Sequence, residues 1–400
     1  MKFIKWFFLL AVLVVAWNVI GDRVMWTTVS NEFMKQVKPY GPGDIRVRDD
    51  QVITMRLSEP EIIFRDKTAA EFNEPNSRAE VTEPWMADIN ELYSRTSISI
   101  LKGAIDGPVT AVFNERAQYG DWWIAPDWRT IFIAARWKDG HQPSGIVPTQ
   151  KLWKSTDAGE SWRQLAWPEA DNITFLRFLD ADRGYLIGNG PRLWRTQNGG
   201  EHWQEIALPA IEPYVTFSEP QFDLVALGAD NTLRLAYFTA RYSKQENVSV
   251  VLALPWGEST PEVEFTVPDQ SVIDLLADET GKIHVLGWQG LPVNYSIPND
   301  SNRERLSMIS VWDGAKLLPL HEFKKDMIGY ALYRTPAGHI LFDGVTEGFL
   351  PNDITALSTD GGKRWQITNE GSSAQGGYYD THTGTRWRVS GYALSKREIP

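Results

Sequence analysis

Thr196-Gln197-Asn198-Gly199-Gly200-Glu201-His202-Trp203 recurs twice more in this chain, as Ser155-Thr156-Asp157-Ala158-Gly159-Glu160-Ser161-Trp162 and Ser358-Thr359-Asp360-Gly361-Gly362-Lys363-Arg364-Trp365. The shared pattern is [Ser/Thr]-x-[Asp/Asn]-x-Gly-x-x-Trp, an internal repeat in which each residue type has a local task. The Asp157, Asn198 or Asp360 side chain can accept hydrogen bonds from backbone amides just ahead of it, and the glycine supplies a positive φ that bulkier residues resist. The hydroxyl of Ser155, Thr196 or Ser358 adds a further bond. The tryptophan starts the outgoing strand with a large apolar face to bury. The pattern therefore predicts a tight turn between two strands, used three times.

Outward from the middle copy, the sequence divides into strands at Thr174 to Leu179, Tyr185 to Gly188, Arg192 to Thr196 and Trp203 to Leu208, with turns at Asp180 to Gly184 and Asn189-Gly190. Four short strands in about 40 residues make one antiparallel blade. The repeat resembles the Asp-box (BNR) turn of sialidase-like β-propellers, and Phe178 to Trp203 resembles the repeats of photosystem II assembly factors. That resemblance implies an all-β propeller. It also implies that Ser155, Asp157, Gly159, Trp162, Thr196, Asn198, Gly200, Trp203, Ser358, Asp360, Gly362 and Trp365 are structural, away from any active site. Catalytic acids or calcium ligands are the weaker reading of these carboxylates. Five blades are readable from Trp122 onward. The last set, Tyr378 to Thr381, Arg386 to Ser390 and Ala393 to Arg397, has three strands and needs a fourth from the N-terminal side, expected from Ile45 to Arg116, which also holds a first blade. The expectation is seven four-stranded blades, with six as the alternative.

The N-terminus reads differently. Phe3 to Ile20 is apolar apart from Lys5 and Asn18, and about 18 helical residues span roughly 27 Å, close to a hydrocarbon core. Lys2 and Lys5 place the leading end in the cytoplasm. No small-residue cleavage pattern follows, so an uncleaved signal anchor is expected over 1–21, a juxtamembrane stalk over 22–44 and the propeller over 45–400, on the extracytoplasmic, periplasmic side.

Of the 400 residues, 40 are Lys or Arg and 51 are Asp or Glu, a net charge of −11 that argues against nucleic acid as a partner. Cysteine is absent, which excludes disulfides, thiolate metal sites and a cysteine nucleophile. The six histidines are scattered with no metal-ligand spacing, and no phosphate loop, dinucleotide loop or serine elbow occurs. No cofactor or metal is expected. Sialidase chemistry would need an arginine cluster, a Tyr–Glu pair and an acid. The nearest echo of the family's Phe-Arg-Ile-Pro element, Phe64-Arg65-Asp66-Lys67, lacks the last two residues.

Three long connections, Trp137 to Gln150, Gln289 to Arg305 and Gly344 to Asp353, fall between second and third strands, at the end of the blade opposite the boxes. Long loops on a rigid scaffold are where binding groups sit. Trp137, His141, Asn294, Tyr295, Asp300, Arg303 and Phe349 are therefore the candidate ligand- or partner-binding residues, with a solvated surface as the bland alternative. The function expected is non-catalytic capture of a protein partner, as an assembly or maturation factor or an immunity-like protein. A sialidase-like hydrolase or a carbohydrate-binding propeller, with a glycan as ligand, is the alternative.

Overall fold

The computed structural model describes residues 27–30, 45–57 and 97–400, less 106, 118, 138–148, 169–172, 189–191, 210–223, 242–245, 279, 290–305, 325, 347–350, 373–375 and 391–392. Every regular element among the described residues is a β-strand. The first, β1 (Thr27–Ser30), is separated in sequence from the sheet it joins. Blade 1 is β2 (Ile45–Arg48), β3 (Gln51–Leu57), β4 (Ser97–Ala104) and β5 (Val109–Arg116). Blade 2 is β6 (Tyr119–Ile124), β7 (Ile131–Trp137), β8 (Thr149–Ser155) and β9 (Arg163–Leu165), and blade 3 is β10 (Ile173–Phe178), β11 (Gly184–Gly188), β12 (Arg192–Thr196) and β13 (Gln204–Ile206). Blade 4 comprises β14 (Leu224–Leu227), β15 (Thr232–Arg241), β16 (Glu246–Pro255) and β17 (Glu262–Pro268). Blade 5 comprises β18 (Gln270–Ala277), β19 (Ile283–Gln289), β20 (Leu306–Trp312) and β21 (Leu317–Glu322). Blade 6 is β22 (Met327–Arg334), β23 (Ile340–Thr346), β24 (Asn352–Ser358) and β25 (Gln366–Ser372), and blade 7 is β26 (Gly376–Asp380), β27 (Thr385–Ser390) and β28 (Ala393–Glu398) with β1 beside β28. The fold is an all-β propeller of seven four-stranded antiparallel blades, seven and not six. The blades belong to two compact units, one of Glu32–Ile206 with blades 1 to 3, the other of Met1–Asn31 and Ala207–Pro400 with blades 4 to 7.

Strand β7 shows why the sequence folds this way. Its run Ile131-Phe132-Ile133-Ala134-Ala135 is apolar at every position, where a half-solvated strand would alternate. Ile131, Ile133 and Ala135 pack with Ile53, Ile98 and Ile100 of blade 1, while Phe132 and Ala134 pack with Leu176, Phe178 and Leu186 of blade 3. Both faces are buried because a sheet lies against each. Phe132 stacks on Phe178 with centroids 3.9 Å apart, and at the blade 5/6 junction Phe323 stacks on Phe342 at 4.1 Å. Burying a side chain of this size contributes about 1.5–3 kcal/mol.

Two expectations are corrected. The strand completing blade 7 comes from Thr27–Ser30, inside the stretch read as a stalk, and not from Ile45 to Arg116; Thr27 pairs with Lys396 and Thr28 with Ser395. Residues 45–116 supply all four strands of blade 1 instead. The third long connection is also shorter than expected, because Gly344 pairs with Ile354 and Val345 with Asp353. Gly344 is there for a close approach: a Cβ would stand 2.3 Å from the Ile328 carbonyl oxygen. Only 347–351 connect β23 to β24. The apolar run 3–20 and Phe64-Arg65 lie outside the described residues, and among the described residues no helix is long and apolar enough to cross a membrane.

Candidate partner-binding site

The three repeats are the hairpins between third and fourth strands of blades 2, 3 and 6, and their geometry accounts for every residue type in the pattern. In the first, the Ser155 hydroxyl donates to Asp157 Oδ1 at 2.8 Å and accepts the Gly159 amide at 2.8 Å, while Ser161 N donates to Asp157 Oδ1 at 2.9 Å. These donors, led by the Ser161 hydroxyl, hold the Asp157 carboxyl down at about 2. Asn198 makes the same turn without a charge: Thr196 Oγ1 and His202 N both donate to its Oδ1 at 3.0 Å. In the third, Arg364 N and Lys363 N donate to Asp360 Oδ1 at 2.9 and 3.1 Å and lower its pKa, the Arg364 amide most.

Each box also docks on the blade before it. A Cβ on Gly159 would stand 3.0 Å from Val112, on Gly200 2.7 Å from Leu165 and on Gly362 3.1 Å from Leu320, all apolar residues of the preceding blade. The carbonyl just before each of these glycines is capped by a basic side chain from that blade. Lys102 Nζ donates to Ala158 O at 3.2 Å, Lys154 Nζ to Gly199 O at 3.3 Å, and His284, as its Nε2–H tautomer, to Gly361 O at 3.3 Å. Burial depresses the pKa of Lys154 and of His284. Trp162 completes its dock with an indole N–H to Val112 O at 2.7 Å. With the turn hydroxyls and the Asp or Asn side chain spent within the turn and a carbonyl capped by its neighbour, the boxes act as dowels between blades.

The opposite end of the blades carries the second-to-third connections, 58–96 in blade 1, 138–148 in blade 2 and 290–305 in blade 5. Of the sequence-based candidates, Trp137 closes β7, and His141, Asn294, Tyr295, Asp300, Arg303 and Phe349 lie outside the described residues. What the structure adds lies on the strands, where β22 meets the end of β19. β22 has a bulge between Gly329 and Ala331. Both backbone groups of Gly329 are held by blade 5: its N–H donates to Ser307 Oγ at 2.9 Å, and its carbonyl accepts Trp288 Nε1–H at 2.8 Å. A Cβ on Gly329 would meet Phe342 at 2.3 Å. A bulge re-aims the side chain beside it. Here that side chain is Tyr330, 51% exposed and edge-on to Trp288 with centroids 6.1 Å apart.

The first strand of blade 5, β18, carries Asp274, which reaches across to β22. Its Oδ2 accepts Leu332 N–H of β22 at 2.7 Å and its Oδ1 accepts Leu275 N–H at 2.9 Å. Burial pushes its pKa up to about 6, against the pull of those two amides. Among the described residues no cluster of His, Asp and Glu could hold a metal ion. Sequence reasoning missed Trp288, Tyr330 and Asp274. The available signal was Asp274 itself, a lone carboxylate in the run Val272-Ile273-Asp274-Leu275-Leu276.

No family model matches the chain, and no curated protein matches it. Solved structures do match. A polysaccharide lyase described as an ulvan lyase, bound to a sulfated glucuronate–rhamnose unit, aligns with a TM-score of 0.52 at 10% identity over 94% of both chains. The acylaminoacyl peptidase of Pyrococcus horikoshii aligns at 0.51 and 13% identity, over 94% of this chain and 54% of its own. YCF48 bound to D1 peptide aligns at 0.48 and 13% identity, over 76% of this chain and 88% of its own. Likeness at these identities is one of fold, the β-propeller, and leaves the chemistry to the residues of this chain.

Proposed function

We propose that this chain is an Asp-box propeller, anchored in the membrane by 1–21 and placed on the extracytoplasmic side, that captures a protein partner at the end of the blades opposite the boxes. In this reading it does no chemistry of its own. The observation that carries the proposal is Tyr330: a large aromatic side chain left half in solvent by a bulge that two side chains of the neighbouring blade hold in place. Buried aromatic anchors dominate protein interfaces, and an exposed one on a braced strand is already ordered for that task. Asn294, Tyr295, Asp300, Arg303 and Phe349 would supply further contacts from the connections of blades 5 and 6, with charged members tuning rate more than strength.

Site-specific photo-crosslinking in the native membrane tests this. A photoreactive phenylalanine analogue at Tyr330 is expected to give a discrete crosslinked protein that disappears when Asn294 to Asn302 is deleted. The same analogue at Lys363, exposed in the third box hairpin, is expected to give none. Crosslinking from Lys363 alone would put the partner on the wrong end and refute the proposal.

A further inference from the structure

The direction of β1 fixes the end of blade 7 from which the N-terminal chain leaves. β1 pairs with β28, Thr27 opposite Lys396 and Ser30 opposite Leu394. β28 pairs in turn with β27, Glu398 opposite Thr385 and Ala393 opposite Ser390. Thr27 therefore lies toward the turn 381–384 that joins β26 to β27, and Ser30 toward the connection between β27 and β28. That turn is at the box end. A Cβ on Gly384 would stand 3.3 Å from Pro336 Cδ in the matching turn of blade 6, and the strand that follows Pro336 starts with Ile340, paired with Ser358 of the third box. β1, blade 6 and blade 7 all belong to one compact unit.

Little chain is left to span the distance to a membrane. With the anchor over 1–21 and β1 starting at Thr27, the connecting stretch is Asp22-Arg23-Val24-Met25-Trp26. From Gly21 to Thr27 it reaches at most about 22 Å, even fully extended. Tryptophan, here Trp26, is enriched where a span meets the headgroups. The turns at this end suit such a layer. Thr381, His382 and Thr383 are exposed, as are Lys363 and Arg364, and exposed basic side chains are drawn to anionic lipid. The carboxylates beside them are turned onto their own turns: Asp380 accepts His382 N at 2.9 Å, and Asp360 accepts Arg364 N at 2.9 Å. The other end of blade 6 stands further along the strands, β24 measuring about 20 Å over its 7 residues.

We propose that the box end of blades 6 and 7 faces the lipid surface of the membrane that holds the anchor, and that the end carrying Tyr330 points away from it. The proposal deepens the reading above and rests on its anchor. The short tether sets the orientation, because it joins the blade at the box end and is too short to let that end move far from the bilayer. A partner that reaches Tyr330 then comes from the extracytoplasmic space or projects well out of the membrane. A helix lying wholly within the lipid is out of reach.

The chain has no cysteine, so one introduced residue can carry a fluorescent donor without background. The test places the full chain in nanodiscs of phosphatidylcholine and phosphatidylglycerol containing a headgroup-labelled acceptor lipid, and compares donors at His382→Cys and Lys363→Cys, at the box end, with one at Pro351→Cys, exposed at the other end of blade 6. Energy transfer to the lipid is expected to be several-fold stronger from either box-end position than from Pro351→Cys. The two box-end variants lie in different turns, so the comparison survives if one of them folds poorly. Equal transfer from the two ends would mean that the blades stand on their outer edge, and stronger transfer from Pro351→Cys that they are inverted; either overturns the proposal. A flexible Gly-Ser insert of about 30 residues after Asp22, reaching roughly 30 Å on average, is expected to bring the ratio toward one. A ratio that survives the insert would overturn the tether as its cause. The anchor is checked separately by alkaline carbonate extraction of native membranes. Release of the chain by carbonate would sink the anchor reading itself, whereas retention with the wrong transfer ratio would sink this inference alone.

Discussion

The two ends of the blades spend their side chains in opposite ways. At the box end the turn residues are committed: Ser155, Thr196 and Ser358 to their own turns, Lys102, Lys154 and His284 to the turn of the next blade, and Gly159, Gly200 and Gly362 to a fit in which a Cβ would meet the preceding blade at 2.7–3.1 Å. At the other end the same devices stop short. Ser307 and Trp288 brace Gly329, yet the result is an exposed Tyr330, and in the same junction the Asp274 carboxylate is held by two backbone amides. The contrast separates residues that join blades from residues that such joining leaves available. Substitutions should follow that line, with stability lost at the box end and little lost at the other.

The largest effect is expected at the box tryptophans. Trp162 packs with Phe113, centroids 4.7 Å apart, and donates to Val112 O; Trp365 packs with Phe323 at 5.5 Å. Trp162→Ala and Trp365→Ala should each cost about 3–5 kcal/mol, read as a lower urea midpoint at unchanged slope. A cost under about 1 kcal/mol would mean that the boxes do not hold blades together.

Next in size is Asp274, where the two regimes meet. Its folded pKa of about 6 lies above the ordinary range of an aspartate, so the folded state binds a proton more tightly than the unfolded chain. The stability this confers is complete below about pH 4 and is lost as the pH rises through about 6. Two units correspond to about 3 kcal/mol as an upper figure. Urea titrations between pH 4 and pH 7.5 should show that decline in the wild type and a flatter profile in Asp274→Asn.

A third effect, about 2 kcal/mol, is expected for Gly200→Ala, which combines a φ of 86° with a Cβ 2.7 Å from Leu165 Cδ1. Gly361 shares the positive φ, at 76°, but faces open space. Gly361→Asn should therefore cost under about 1 kcal/mol, since asparagine tolerates that conformation. Equal costs at the two positions would show that φ alone, and not docking on the preceding blade, fixes the box glycine.

Much of this architecture was legible in the sequence, and the exceptions have physical reasons. The boxes were readable because a turn packs its chemistry into eight consecutive residues. Blade 1 was not, because 58–96 separates β3 from β4 and removes the hairpin spacing by which strands are recognised. The four residues of β1 are too few to show a period. Gly344 was read as a loop residue because glycine marks turns and close approaches alike, and here the Ile328 carbonyl decides for the second. The partner-site candidates were chosen by loop length, which points to an end of the blade but not to the strand residues beneath it. Asp274 was visible as a charge in an apolar run, whereas the Leu332 amide that holds it comes from the next blade and appears only in the fold.

The smallest expected effect on stability is the most telling one. Tyr330 is half exposed and its neighbour Gly329, not Tyr330 itself, receives the bonds from Ser307 and Trp288. Tyr330→Ala removes a half-exposed ring and leaves the bulge braced by Ser307 and Trp288, so the urea midpoint should move by no more than about 0.5 kcal/mol, as for an ordinary surface substitution. Trp288→Phe supplies the contrast: it keeps most of the apolar area but deletes the N–H that holds Gly329 O, at a cost of about 1–2 kcal/mol. If Tyr330→Ala destabilised as much as Trp288→Phe, the tyrosine would belong to the joint like the box residues, and the bulge would exist to pack it. If it leaves stability unchanged and removes partner crosslinking, the bulge exists to present it.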